Sequence, residues 1–217
     1  RGAAAEGGEG SERGGEAEPV GVLDDDRALE GSRVLGLPVL GPCARVGDIA
    51  HDAVVVAIGD NRRREALSLS LEQAGERLLT ACHPDASIAA GVELGAGCLV
   101  SAGVVVAPGA RVGRGVILNT RCSVDHHSVV GSFAHIGPGA TLGADVTYHG
   151  GEVMTGGQGR YGMHARDSKA PLATALAAAL AALLPLALAA ALPASAAAQS
   201  TSHADGRERP VVTVARA

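Results

Sequence analysis

Aliphatic residues recur through the middle of this chain at an unbroken interval of six: Ile88, Leu94, Val100, Val106, Val112, Leu118, Val124, Val130, Ile136 and Leu142. A helix repeats every 3.6 residues and a half-buried strand every two, so neither produces this spacing. A triangular coil does. If each flat face takes one hexad, one branched side chain per face points to the axis, and three hexads close a turn. Two positions before each aliphatic stands a small or β-branched residue: Ala86, Val92, Cys98, Val104, Ala110, Val116, Cys122, Ser128, Ala134 and Ala140. That suits a corner, and the glycines between them supply the backbone freedom that corners need. The pattern predicts a mainly β fold, a parallel β-helix of hexapeptide repeats over 86–150. Its well-formed part has about three and a third turns, on the order of 16 Å at roughly 4.8 Å per turn. At Val146 the hexads are expected to falter, because Tyr148 stands where an aliphatic belongs.

The flanking segments read differently. VGVL (20–23) and VVVAIG (54–59) are short buried-strand runs that stop at polar residues, Asp24 to Asp26 and Asp60–Asn61. Asp60 or Asn61 can cap a helix from Arg62 to Ala74, which Gly75 ends. Residues 20–85 are therefore predicted to form a partial Rossmann-like α/β domain. Strand ends carrying Asp and Gly either frame a nucleotide crevice or are ordinary strand-end turns. Residues 1–19, all Gly, Ala, Glu and the like, are predicted to be disordered. Residues 151–217 are predicted to be a tail outside the fold. Within it, 163–198 has a basic start, an apolar run and a small-x-small site, the order found in a secretory signal peptide. The alternatives are a membrane helix interrupted by Pro185, an Ala/Leu helix packed on the coil, or a coding region joined to the start of another.

Composition narrows the function. A formal net charge of −5 without a basic stripe argues against nucleic acid as a partner. Aromatic residues are nearly absent (Phe133, Tyr148, Tyr161), which a column of stacked Val, Ile and Leu tolerates. The four cysteines show no C-x-x-C spacing, and Cys98 and Cys122 fall on corner positions, as packing residues of a reduced, cytoplasmic protein would. Polar residues interrupt the coil at NTRCSVDHHSVVGSFAHIGPGA (119–140). Asp125, His126 and His127 follow the inward Val124, and His135 precedes the inward Ile136. Histidine is the natural general base near neutral pH. The same residues read equally well as solvated surface histidines. A zinc site of the γ-carbonic-anhydrase kind is a lesser alternative, but three ligands from three separate faces are not evident, and no metal is expected.

The coil with NTRCSVDHHSVVGSFAHIGPGATL, preceded by VGVLDDD, GLPVLG, VVVAIGDNRRR and ACHPDASI, resembles the NeuD/PglD-like sugar acyltransferases of the hexapeptide-repeat superfamily. The likeness spans roughly residues 20–145. It implies a left-handed β-helix, a homotrimer with acetyl-CoA held in the groove between subunits, and a UDP-amino sugar as acceptor in bacterial surface-glycan or sialic-acid-type biosynthesis. It also implies roles for single residues. His126 would be the general base, His135 would hydrogen-bond acetyl-CoA near the thioester, and Ala144 would contact it through its backbone. Asp24 and Asp25 would lie at the uridine and ribose, with Gly59 at the second strand end. The chain departs from the family in three places. The family usually places Asp or Glu directly after the base, where this chain has His127, and Asp125 stands on the other side. The family opens with an apolar strand and a glycine-rich loop that residues 1–19 lack. It also continues for several more coils, so the chain is expected to be shortened at both ends. A rival from another class is a trimeric scaffold without chemistry, or a degraded or mis-joined gene product.

Overall fold

The computed structural model of the chain describes residues 17–155 and 211–216. The six-residue period is realised as thirteen two-residue strands, one starting every sixth residue from Ala81–Cys82 (β5) to Val153–Met154 (β17). Each strand pairs in parallel with the strand one turn on, 18 residues later, as in Arg111↔Val129, Ile117↔His135 and Ser123↔Thr141. Three flat sheets result, of four, five and four strands, which are the faces of a triangular prism.

The second residue of each strand points inward. Val100, Val106, Val112, Leu118, Val124, Val130, Ile136 and Leu142 are all buried, while Ile88 and Leu94 near the open end are partly so. The predicted corner residues from Cys98 to Ala140 are buried beside them. Burial pushes the thiols of Cys98 and Cys122 up to about 12, so both stay protonated and act as small apolar side chains.

The coil is longer than the hexads predict, running from 81 to 154 rather than 86 to 150. Tyr148 does not end it. Its ring takes the inward position, paired in register with Val130, and joins the apolar column; Met154 continues the period. A large ring is tolerated there because only one further inward residue on the described chain lies beyond it. The prism is about 20 Å long at roughly 4.8 Å per turn.

Ahead of the coil come β1 (Glu18–Asp24), β2 (Arg33–Val34), β3 (Leu37–Gly41), β4 (Ala53–Val56) and α1 (Asn61–Gln73). The Asp60 carboxylate accepts from the Arg63 N–H at 2.8 Å and starts α1, as expected; Gly75 closes it at φ +91°. The sheet departs from the sequence reading. Its order is β2-β3-β1-β18-β4, where β18 is Val211–Arg216, from the segment predicted to lie outside the fold. β18 runs antiparallel to both β1 and β4. Among the described residues the domain is therefore a mixed sheet with a single α-helix, not a run of adjacent parallel strands. The reason lies in VVTVA: Val212, Thr213, Val214 and Ala215 are fully buried and satisfy edges that β1 and β4 would otherwise expose. β1 itself begins at Glu18, inside the segment predicted to be disordered; residues 1–16 and the apolar stretch 163–198 lie outside the described residues. Among the described residues, no helix is long and apolar enough to cross a membrane.

Alternation along the strands gives the sheet two apolar faces. Val54, Val56, Ile58, Val212 and Val214 pack with Leu71 of α1, while Val55, Ala57 and Ala215 pack on Ala81, Leu99 and Ile117 of the coil. Arg64 locks the halves together. Fully buried, it donates to the carbonyls of Gly115 and Phe133 (2.8 Å each), one coil apart, and to Ile58 at 2.8 Å. Asn61 extends the same column of corners by one more turn, donating to Gly151 and Glu152 at 3.0 Å.

Candidate active site

Three residues before each inward side chain from Leu94 onward the backbone turns left-handed. Glycine fills that position at 91, 97, 103, 109, 115, 139 and 151, but Arg121, His127, Phe133 and Asp145 adopt φ of 56° to 58°. Such backbone costs a non-glycine residue on the order of 1 kcal/mol. The departures from glycine thus fall in the part of the coil where polar residues interrupt the repeat.

His127 occupies the corner above Gly109. A Cβ on Gly109 would meet the His127 ring at 2.7 Å, so glycine below makes room for imidazole above. The His127 N–H donates to the Pro108 carbonyl at 3.2 Å, and the Asp145 N–H, from the next coil up, donates to the His126 carbonyl at 3.1 Å. The corner is held from both sides. On it, His126 Nδ1 and His127 Nδ1 lie 3.0 Å apart, with the rings nearly perpendicular at 81°. When His126 donates that hydrogen, its Nε2 carries the free lone pair. Both rings are exposed to solvent.

Asp125 does not orient either ring. Its carboxylate accepts from the His126 backbone N–H at 2.7 Å and shapes the turn. The acidic group near the rings is Asp145, which sequence reading missed. Its carboxylate and one nitrogen from each histidine lie within 4.8 Å of one another, near enough to hold one divalent cation between them. The coil register carries the signal: Asp145 stands one turn after His127, and Ala144, half-buried, one turn after His126. Ala144 and His126 are thus brought together.

His135 is elsewhere. It is the outward residue of its strand, paired with Ile117 on the face that the N-terminal sheet covers, and is 1% exposed. Its Nε2 lies 3.1 Å from Asn119 Nδ2, an amide donor, which leaves the proton on Nδ1; Nδ1 has no hydrogen-bond partner among the described residues. Burial, and then the nearby Arg64 charge, push its pKa down to about 4, so the ring is neutral.

Asp24 and Gly59 lie at the same end of the sheet, at and just beyond the C-terminal ends of β1 and β4, which are parallel to each other with β18 between them. Across the sheet β1 and β4 are two strand spacings apart, about 10 Å. Asp24 is buried and accepts from the Asp26 N–H at 2.8 Å; Asp25 is exposed and accepts from the Cys43 N–H at 2.9 Å. Gly59 is buried, and its carbonyl accepts from Arg64 at 3.2 Å.

A parallel β-helix of hexapeptide turns with an exposed histidine corner defines a class, the hexapeptide-repeat proteins. No protein-family model matches the chain. Solved structures do. The acetyltransferase domain of PglB from Neisseria gonorrhoeae FA1090, in complex with acetyl coenzyme A, is 31% identical, with 62% of this chain and 77% of that one covered and a TM-score of 0.52. WeeI from Acinetobacter baumannii AYE is 28% identical over 57% of this chain and 59% of that one, with a TM-score of 0.53. PerB from Caulobacter crescentus, in complex with CoA and GDP-perosamine, is 31% identical over 57% and 72%, with a TM-score of 0.48. The chain belongs to the hexapeptide-repeat, left-handed β-helix family of sugar acetyltransferases.

Proposed function

We propose that this protein transfers an acetyl group from acetyl-CoA to the amine of a UDP-linked amino sugar, with His126 as general base. The observation that carries the reading is the exposed His126 ring, whose Nδ1 lies 3.0 Å from His127 Nδ1 while its Nε2 has no hydrogen-bond partner among the described residues. His126 Nε2 takes the proton as the sugar nitrogen adds to the thioester carbonyl. The C–S bond then breaks, and the same proton leaves with the CoA sulfur, so that no acyl-enzyme forms. Ala144, one turn above His126, lines the path of the donor through its backbone. His135 offers its Nδ1–H to the donor only if the seam over it opens, because the ring is buried. Asp24, Asp25 and Gly59, at one end of the sheet, hold the nucleotide. A homotrimer supplies the groove between neighbouring coils.

Calorimetric titration of the full chain with acetyl-CoA, with mass in solution recorded alongside, tests the donor half of this reading. Saturable binding, one per subunit of a trimer, is the expected result. An absence of saturable binding would leave a scaffold without chemistry as the better account.

A further inference from the structure

His127 is the ring that meets the base, and imidazole alone brings no negative charge to the corner. One turn later in the coil the chain restores it. We infer that Asp145 is the positioning residue of this site, its carboxylate acting across the turn on the His127–His126 pair; this rests on the acetyl-transfer reading above. Three observations support it. Asp145 follows His127 by one turn of the coil, in the register that Ser123↔Thr141 and Val129↔Thr147 fix on either side. Its backbone N–H is tied to the His126 carbonyl at 3.1 Å, so the side chain starts from a fixed point beside the pair. Its carboxylate lies within 4.8 Å of a nitrogen on each ring. Asp145 also holds a left-handed φ of 58° where most other turns use glycine. Aspartate is among the residues that tolerate this conformation best, and the choice keeps a charge at the corner without breaking the coil.

The geometry assigns a sequence of contacts. Nδ1 of His126 meets Nδ1 of His127, and the Asp145 carboxylate faces both. As His126 takes the proton of the attacking amine, positive charge appears on the pair, and the carboxylate stabilises it most at that moment. Substrate binding does not depend on this charge, so its removal slows turnover and leaves the affinity for acetyl-CoA as it was.

The test compares the full chain with Asp145→Asn and Asp145→Glu in steady-state acetyl transfer to a panel of UDP-linked amino sugars, with and without EDTA. For Asp145→Asn the expected result is a kcat about tenfold lower, the size that suits one charge about 4–5 Å away at a solvent-exposed site, with KM for acetyl-CoA changed less than about twofold. Asp145→Glu recovers much of the loss. An unchanged kcat, or a loss that glutamate does not repair and that comes with a lower Tm, overturns the assignment. So does activity lost to EDTA and restored by Zn²⁺, which would give the three groups to a metal instead. If the wild type transfers nothing, the His126 reading fails on its own, and the imidazole ¹⁵N signals still decide on Asp145. Signals of His127 that shift in Asp145→Asn support the contact, and signals that do not move refute it.

Discussion

His126 and His127 meet through their Nδ1 atoms at 3.0 Å, one ring edge-on to the other at 81°. An imidazole thus stands against the base where a carboxylate could hold it, and only one of the two nitrogens can supply the shared hydrogen. Either ring can be the donor, so only part of the population presents His126 with its Nε2 lone pair free. A carboxylate, which only accepts, fixes His126 in the productive tautomer. His127→Glu is therefore expected to raise kcat about three- to tenfold, since a general base contributes on the order of 10²–10⁴ when fully positioned. A rate equal to or below that of the wild type would contradict this account of the His127 corner.

His135 gives the protein a pH limit of its own. Folded, its pKa is pushed down to about 4 by burial and then by the Arg64 charge; unfolded, it titrates near 6.5. Below pH 6.5 the unfolded chain binds a proton that the folded chain refuses until about pH 4. The contribution is thus fully present above pH 6.5 and is lost as the pH falls through that window, by up to about 3 kcal/mol. His135→Gln should flatten the fall in Tm between pH 6.5 and 4 relative to the wild type. Parallel curves for the two proteins would contradict the buried, neutral ring.

β18 makes a prediction that a tail outside the fold would not. Thr213 is fully buried, and its hydroxyl has no partner among the described residues, so Thr213→Val should raise stability by about 1 kcal/mol. Val214→Asp at the neighbouring buried position should lower it by several kcal/mol, because a charge then enters the core between β1 and β4. Urea denaturation of the full-length variants reads both. Two variants indistinguishable from the wild type would remove β18 from the sheet.

The coil was legible because its signal is strictly periodic and local. Each hexad from Ile88 to Leu142 announces an inward residue, and Cys98 to Ala140 announce corners, whatever lies elsewhere in the chain. Tyr148 was misread because residue type, not position, was allowed to end the pattern; it still falls six residues after Leu142. β18 was not legible for a different reason. Its pairing with β1 and β4 joins residues about 155 to 200 positions apart, and nothing in VVTVAR names its partner. The site was legible in part. His126 and His127 stand out as polar interruptions, and adding one turn to each leads to Ala144 and Asp145. The burial of His135 depends on the N-terminal sheet docking on its face of the coil. Neither the hexads nor the strand runs reveal which face is covered.

The central claim is that His126 takes the proton from the attacking amine. The most direct measurement is acetyl transfer by the full chain and by His126→Ala under identical conditions, using acetyl-CoA and the UDP-linked amino sugars, with oligomer mass and acetyl-CoA affinity recorded for both. The account predicts turnover by the wild type and a loss of at least about 10²-fold in kcat for the variant, while the assembly and the acetyl-CoA affinity stay the same. Equal turnover by the two proteins would contradict it, and would move the base to another residue of the corner.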